Sequence, residues 1–264
     1  MSLSQHVFLY CERGTNEALF AEPLNAASNA AFLLAALAAL LLLLRRPREL
    51  RSADQYLFIA LVFLIGLGSL SFHLLADRAS LFADVIPINV FMLVYLGFAL
   101  NRLLGVPPGW TVLTLIGFVG IVALSMQAKC WDGGIGFPGA EATGASECLN
   151  GSLVYLPALL AMAVVGGLMA ERKHPAAAYI LWAALIFTIS VTFRSLDLAL
   201  CDAYQFQGRK IGTHFIWHLF NGLALFLLLR ASLEVGPRGD SRPVVVRRVE
   251  QEILPPLKDA PRDE

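Results

Sequence analysis

The sequence predicts an all-α integral membrane fold, a bundle of seven transmembrane helices, and three observations carry that prediction. Hydrophobic residues fill 57% of the 264 positions and charged residues only 15%, a balance far too apolar for an ordinary soluble domain. Windows of about 20 mainly apolar residues, the length needed to cross a bilayer core, fall near 24–44, 55–75, 83–103, 109–128, 152–170, 177–198 and 212–231. Basic residues gather after windows one, three, five and seven, which places them on one side of the membrane if all seven span it.

Residues 1–23 are predicted as an extracytoplasmic N-terminal segment. With Glu12, Arg13 and Glu17 and no apolar core segment, no cleavable signal peptide is visible, so the first helix is expected to direct insertion. That helix is followed by Arg45, Arg46, Arg48 and Arg51. The second carries GSLSFH near its far end, with Ser69 and His73. The third is interrupted by Asp84 and Asn89 and ends on Arg102. The fourth leads into a Gly-rich loop bounded by Cys130 and Cys148, and the fifth runs out into Arg172 and Lys173. The sixth contains Arg194 and Asp197 and is followed by Cys201, while the seventh opens on THFIWH and ends at Arg230. The positive-inside rule makes the basic side cytoplasmic, so the N-terminus faces outward and the C-terminus inward. The opposite side has fewer cations, among them Arg13, Arg78, Lys129, Arg209 and Lys210. Residues 24–231 form the helical domain. Residues 232–264, rich in Pro, Arg and acids, are predicted as a disordered cytoplasmic tail. Neither a second soluble domain nor a short repeat is visible, the net charge of zero names no nucleic-acid partner, and nothing sets an oligomeric state.

Helix parity sorts the polar residues. The end of an even helix and the start of an odd one share a face, which places His73, Asp84, His214 and His218 in the outer half with Arg194, Asp197, Glu12, Glu22 and Asn25. Ionisable groups are costly in hydrocarbon, so such a set points to a metal or proton-handling site. The plainer alternative is polar groups satisfied by neighbouring helices. The four cysteines obey the same parity and permit three pairings, or none if all are free thiols. In an oxidising compartment the favoured pairing is Cys11 with Cys201 and Cys130 with Cys148, the latter closing the Gly-rich loop.

His214 and His218 stand four residues apart, one turn along a single helical face, and can share one zinc ion. Ser69 and His73 have the same spacing on helix two. Three neutral histidines leave an open coordination position, the arrangement of a catalytic zinc, which lowers the pKa of bound water toward about 7. Asp84 is placed to take the water proton and return it to a leaving group. Ser69 is placed either to ligate zinc or to hydrogen-bond an oxyanion.

Three blocks of the chain, YCERGTNEALFAEPLNAASNAAF, GLGSLSFHLLADRASLFADVIP and GTHFIWHLFNG, resemble the alkaline ceramidase family. That family is part of a wider superfamily of seven-helix membrane proteins that includes the adiponectin and progestin receptors. The resemblance implies a zinc-dependent hydrolase that cleaves the N-acyl amide of ceramide to a sphingoid base and a fatty acid. It implies zinc ligation by His73, His214 and His218, proton transfer by Asp84, a zinc-facing or oxyanion-binding Ser69, and a disulfide between Cys11 and Cys201. It also implies an N-terminal calcium site drawing on Glu12, Asn16 and Glu22. The chain departs from the family there: Leu9 stands where an acidic ligand is expected, Arg13-Gly14-Thr15 breaks the acidic pattern, and Arg13 is placed to supply part of the cation's charge. A second acid beside Asp84 is also missing, because Val85 follows it.

Among the remaining polar residues, Asn25 and Asn29 are expected to bond neighbouring helices, and Arg194 to pair with Asp197 or with Glu22 or Glu12. Trp110, Trp131 and Trp217 suit interfacial or packing roles. His6 and His174 lie away from the site, and the sequon at Asn150 sits at a helix start. The sequence supports an intramembrane lipid hydrolase first. Its alternative is a receptor or scaffold in which zinc braces the bundle; a proton-coupled transporter lacks the expected repeat. The short loops and the lack of a retrieval signal suggest a bacterial cytoplasmic membrane with the site toward the periplasm, or an ER or Golgi membrane in a eukaryote. An N-acyl lipid other than ceramide then becomes a candidate substrate.

Overall fold

The computed structural model describes residues 2–131, 134–136 and 146–236. Among them are seven helices long and apolar enough to cross a membrane: α1 (Pro23–Leu44), α2 (Ala53–Leu75), α3 (Arg78–Leu103), α4 (Pro108–Gln127), α5 (Ser152–Glu171), α6 (Ala177–Leu196) and α7 (His214–Ser232). The chain is a multi-pass membrane protein, and each predicted window falls on one of these helices. Helices α2 and α7 are the most buried spans and α4 the least. On α4, Val112, Leu113, Ile116, Ile121 and Leu124 are exposed, as expected of a surface whose solvent is lipid. The core runs through Phe32, Phe58, Ile65, Phe91, Tyr95, Met169 and Leu229.

Local sequence explains where the helices begin, bend and end. In α1, the Ser28 hydroxyl and the Asn29 amide both donate to the Asn25 carbonyl, at 2.8 Å each. This back-bonding competes with the helical ladder, and the α-helix breaks between Ser28 and Ala30. Helix α2 stops where Ala76 adopts a left-handed φ of 49°. Helix α3 begins earlier than its hydropathy window because Asp77 caps it, accepting from the Ser80 amide (2.8 Å) and hydroxyl (2.7 Å). Asp84 therefore lies in the second turn of α3. The first residues of the predicted tail pack against the bundle. Ser232 ends α7, Leu233 and Val235 are buried, and the Gln55 side chain donates to the Ser232 and Val235 carbonyls. The rest of the predicted tail, 237–264, lies outside the described residues.

Pro87, inside α3, has no N–H to offer the carbonyl four residues back, which is that of Ala83. That carbonyl faces α2 at Gly68, where a Cβ would sit 2.0 Å from the Ala83 oxygen. The next residues along the two helices are Ser69 and Asp84. A small residue on α2 and a freed carbonyl on α3 thus bring these two side chains to one place.

Extramembrane structure gathers on the same face of the bundle as residues 2–22. The Val7 amide donates to the Ala76 carbonyl (2.7 Å), and the Arg78 amide to Gln5 (3.1 Å). Strand β1 (Lys129–Trp131) pairs antiparallel with β2 (Gly134–Gly136) and β3 (Ser146–Glu147). A two-residue turn at positive φ, Gln207-Gly208, joins β4 (Gln205–Phe206) to β5 (Arg209–Lys210). Two disulfides, Cys11–Cys201 and Cys130–Cys148, close this face as the parity of the cysteines favoured. Most of the Gly-rich loop between the latter two cysteines lies outside the described residues.

Substituting Gly68 tests the close crossing. Gly68→Ala should lower stability by about 2 kcal/mol or more, because the methyl meets backbone rather than a movable side chain. Gly120 on α4 faces open space, so Gly120→Ala should be neutral or slightly stabilising, by up to about 1 kcal/mol. Unfolding of both variants in detergent checks this, and equal stability would remove the crossing's importance.

Candidate metal centre

His73 lies on the last turn of α2, His214 opens α7, and His218 follows one turn later. All three are buried, and one donor nitrogen from each lies within 4.8 Å of the other two. Two of the rings have their second nitrogen held, each by a different part of the chain. His73 Nδ1 bonds Glu22 Oε2 at 2.6 Å, leaving Nε2 buried without a partner. His218 Nδ1 bonds Ser28 Oγ at 2.7 Å, which turns Nε2 toward the cluster. The His214 ring stacks on Tyr10 with centroids 3.6 Å apart, and its Nδ1 is buried without a partner.

Unpartnered buried nitrogens are costly unless something binds them. Three converging imidazoles, two with hydrogen-bonded far nitrogens, have the donor chemistry and outer partners of a divalent transition-metal site. The residues therefore fit a metal.

Two further groups reach the cluster. Ser69 sits one turn before His73 and lies beside the Asp84 side chain, and Asp84 lies within electrostatic reach of His73. Asp84 Oδ1 is buried with no partner. Helix α7 is held in position by Asp197. Its Oδ1 accepts from the amides of Thr213 (2.7 Å) and His214 (2.9 Å), and its Oδ2 from Cys11 (2.9 Å). Burial pushes the Asp197 carboxyl above its ordinary range despite these three amides. Gly212 permits the close approach: a Cβ there would lie 2.2 Å from Asp197 Oδ1, and its φ is +60°.

The expected Arg194–Asp197 ion pair is not formed, because Asp197 is engaged by amides. Arg194 instead donates to the Asn150 carbonyl (2.6 Å) and Ser152 hydroxyl (2.8 Å). Its guanidinium carbon lies 5.3–5.9 Å from the rings of Tyr10, Tyr155 and Trp217. The Asn150 amide in the sequon donates to the Arg194 carbonyl. Asn25 and Asn29 also differ from expectation. Their amides bond Glu22 and the Asn25 carbonyl rather than another membrane helix.

The oxygens expected to hold calcium have other partners. Glu22 Oε1 accepts from Arg13, and Oε2 from Asn25 as well as bonding His73. Both Glu12 oxygens accept amides, from Leu24 (2.9 Å) and Asn25 (2.8 Å), and Asn16 Oδ1 accepts from Ala18. Burial pushes the Glu22 carboxyl up, but bonds from His73, then Asn25 and Arg13, outweigh it and hold it below its ordinary range. Calcium takes six to eight oxygens. No oxygen of Glu12, Asn16 or Glu22 is among the buried unpartnered atoms, and nearby only Asn25 Oδ1 and Asn29 Oδ1 are, so the set does not fit the ion.

Below the histidines a cavity opens between the helices. Ile65, Ile88 and Asn221, each about one turn below Ser69, Asp84 and His218, line its upper end, and Tyr95, Ala99 and Leu228 its lower end. Its wall is almost wholly apolar. Tyr95 directs its hydroxyl away, to the Leu228 carbonyl at 2.8 Å.

Ser28 and Tyr10 were missed by sequence reasoning, and the bond from Glu22 to His73 was not foreseen. The block YCERGTNEALFAEPLNAASNAAF contains all three, but no local pattern singles out Ser28. The sequence model of a protein family described as Ceramidase matches residues 9–242, a span that includes every residue of this site. A search of curated proteins finds no match.

Removal of one imidazole should abolish the centre. His214→Ala and His218→Ala are expected to lose bound metal, measured as metal per protein after purification, whereas Glu22→Gln should retain it with affinity weakened about 10- to 100-fold. Full metal content in both alanine variants would exclude the site.

Proposed function

The chain belongs to the ceramidase family, and from that premise we propose that it is a zinc-dependent intramembrane hydrolase cleaving the amide bond of ceramide or a related N-acyl lipid. The observation that carries this reading is the convergence of three buried imidazoles with Ser69 and Asp84 above an apolar cavity. Zinc, held by His73, His214 and His218, would polarise the amide carbonyl and make water nucleophilic near neutral pH.

The protein's own groups supply the rest. Water adds to the carbonyl carbon, the C–N bond breaks, and the products are a fatty acid and an amine. Asp84, with one unpartnered oxygen, accepts the water proton and returns it to the departing nitrogen. The Ser69 hydroxyl donates to the oxyanion as it develops. Glu22 and Ser28 keep the rings of His73 and His218 in their ligating orientation. The cavity receives a hydrocarbon chain and excludes water from it. The basic ends of α1, α3, α5 and α7 support a cytoplasmic C-terminus, which puts the histidines on the opposite side, periplasmic in a bacterium.

Fatty-acid release from a panel of N-acyl lipids, ceramide included, tests the reading on zinc-loaded protein. Asp84→Asn should retain zinc and lose about 10²- to 10⁴-fold in turnover. If wild type and Asp84→Asn hold zinc yet are equally inert across the panel, the hydrolase assignment fails and a zinc-braced scaffold takes its place.

A further inference from the structure

We infer that Arg13 is a built-in cation, standing where a divalent ion would otherwise bind the N-terminal segment, and that it positions His73 through Glu22. The inference rests on the three-histidine metal centre proposed above. Arg13 and Glu22 are both nearly inaccessible, at 3% and 2% exposure. The guanidinium is surrounded by oxygen. Its Nε donates to Glu22 Oε1 (2.5 Å), Nη1 to the carbonyls of Asn16 and Ala18 (3.0 Å each), and Nη2 to those of His73 (2.7 Å) and Leu74 (3.3 Å). One carboxylate and four carbonyls are the ligand chemistry of a hard cation. Here a planar fork of N–H donors meets them instead.

Those oxygens come from two places in the chain. Asn16 and Ala18 belong to the turn after Arg13, which Gly14 permits at a φ of +57°. His73 and Leu74 belong to the last turn of α2, where carbonyls lack helical partners and the helix dipole is negative. Arg13 thus caps α2 at the ligand itself and pins the N-terminal segment to it.

The connection to the ring is equally direct. Glu22 Oε1 is held by Arg13 and Oε2 bonds His73 Nδ1. The guanidinium fixes the carboxylate, and the carboxylate fixes the imidazole. One positive charge balances one buried negative charge, so a divalent ion at the same oxygens would collide with the guanidinium and add uncompensated charge. Removing Arg13 leaves Glu22 buried and unpaired. It also leaves a set of open oxygens that a hard cation can enter.

The test uses full-length wild type, Arg13→Ala and Arg13→Lys in detergent, stripped of metal and then titrated with zinc, with and without excess calcium chloride. Zinc affinity and the thermal midpoint are measured. Wild type is expected to be indifferent to calcium in both. Arg13→Ala should bind zinc about 10- to 100-fold more weakly, melt lower, and regain part of both losses with calcium but not with potassium at equal ionic strength. Arg13→Lys keeps the charge without the fork, and should bind zinc more weakly than wild type while still ignoring calcium. Stabilisation of wild type by calcium would overturn the inference. So would an Arg13→Ala protein equal to wild type in both measurements, or one that calcium does not rescue. If Arg13→Ala does not fold, Arg13→Lys decides, and zinc affinity equal to wild type overturns the positioning role. Neither measurement uses turnover, so failure of the hydrolase reading is separately visible. If wild type takes up no zinc, the calcium response of the thermal midpoint still decides.

Discussion

Hydrocarbon offers no hydrogen bonds, so every polar group carried into this bundle must find its partner inside the protein. That constraint explains why the polar residues are concentrated at one end. Histidines alone could not sit there. Two of their far nitrogens find partners, His73 from Glu22 just before α1 and His218 from Ser28 within α1. Arg13 then answers the charge of Glu22, and Asp197 answers the free amides at the start of α7. Arg13 and Glu22, before α1, are therefore packed against the histidine cluster.

Two kinds of fastening keep this arrangement in register. One is the close contact of α2 with α3 at Gly68 and Ala83, which places Ser69 beside Asp84. The other is the tie between the N-terminal segment and the end of α6, where Cys11 is bonded to Cys201 while its amide bonds Asp197. Because Asp197 also receives the His214 amide, the disulfide, the N-terminal segment and a histidine of the cluster share one carboxylate. The cavity beneath is almost wholly apolar, the Tyr95 hydroxyl being bonded to the Leu228 carbonyl, which suits it to a hydrocarbon chain.

The polar pattern was legible as far as local geometry reaches. His214 and His218 are neighbours on any helix, as are Ser69 and His73, and parity alone brought the two pairs to one end. The partners were not legible. Glu22 looked like a calcium ligand by resemblance, yet its oxygens bond Arg13, His73 and Asn25. Arg194 looked like the partner of Asp197 at helical spacing, yet it turns to the loop at Asn150 and to three aromatic rings. In each case the winning contact joins residues far apart in the chain or replaces a side-chain partner with backbone.

By itself, then, the sequence determined seven spans, the helix that bears each histidine, and the end of the bundle where they meet, because hydropathy, helical periodicity and alternation of direction are local or additive properties. Tertiary structure alone decided which atom faces which: the open nitrogens of His73 and His214, the engagement of Glu22 by Arg13, and the depth of the cavity below Asp84. The physical reason is that a hydrogen bond depends on distances of a few tenths of an ångström. Those distances are set by how α2, α3 and α7 pack with the N-terminal segment.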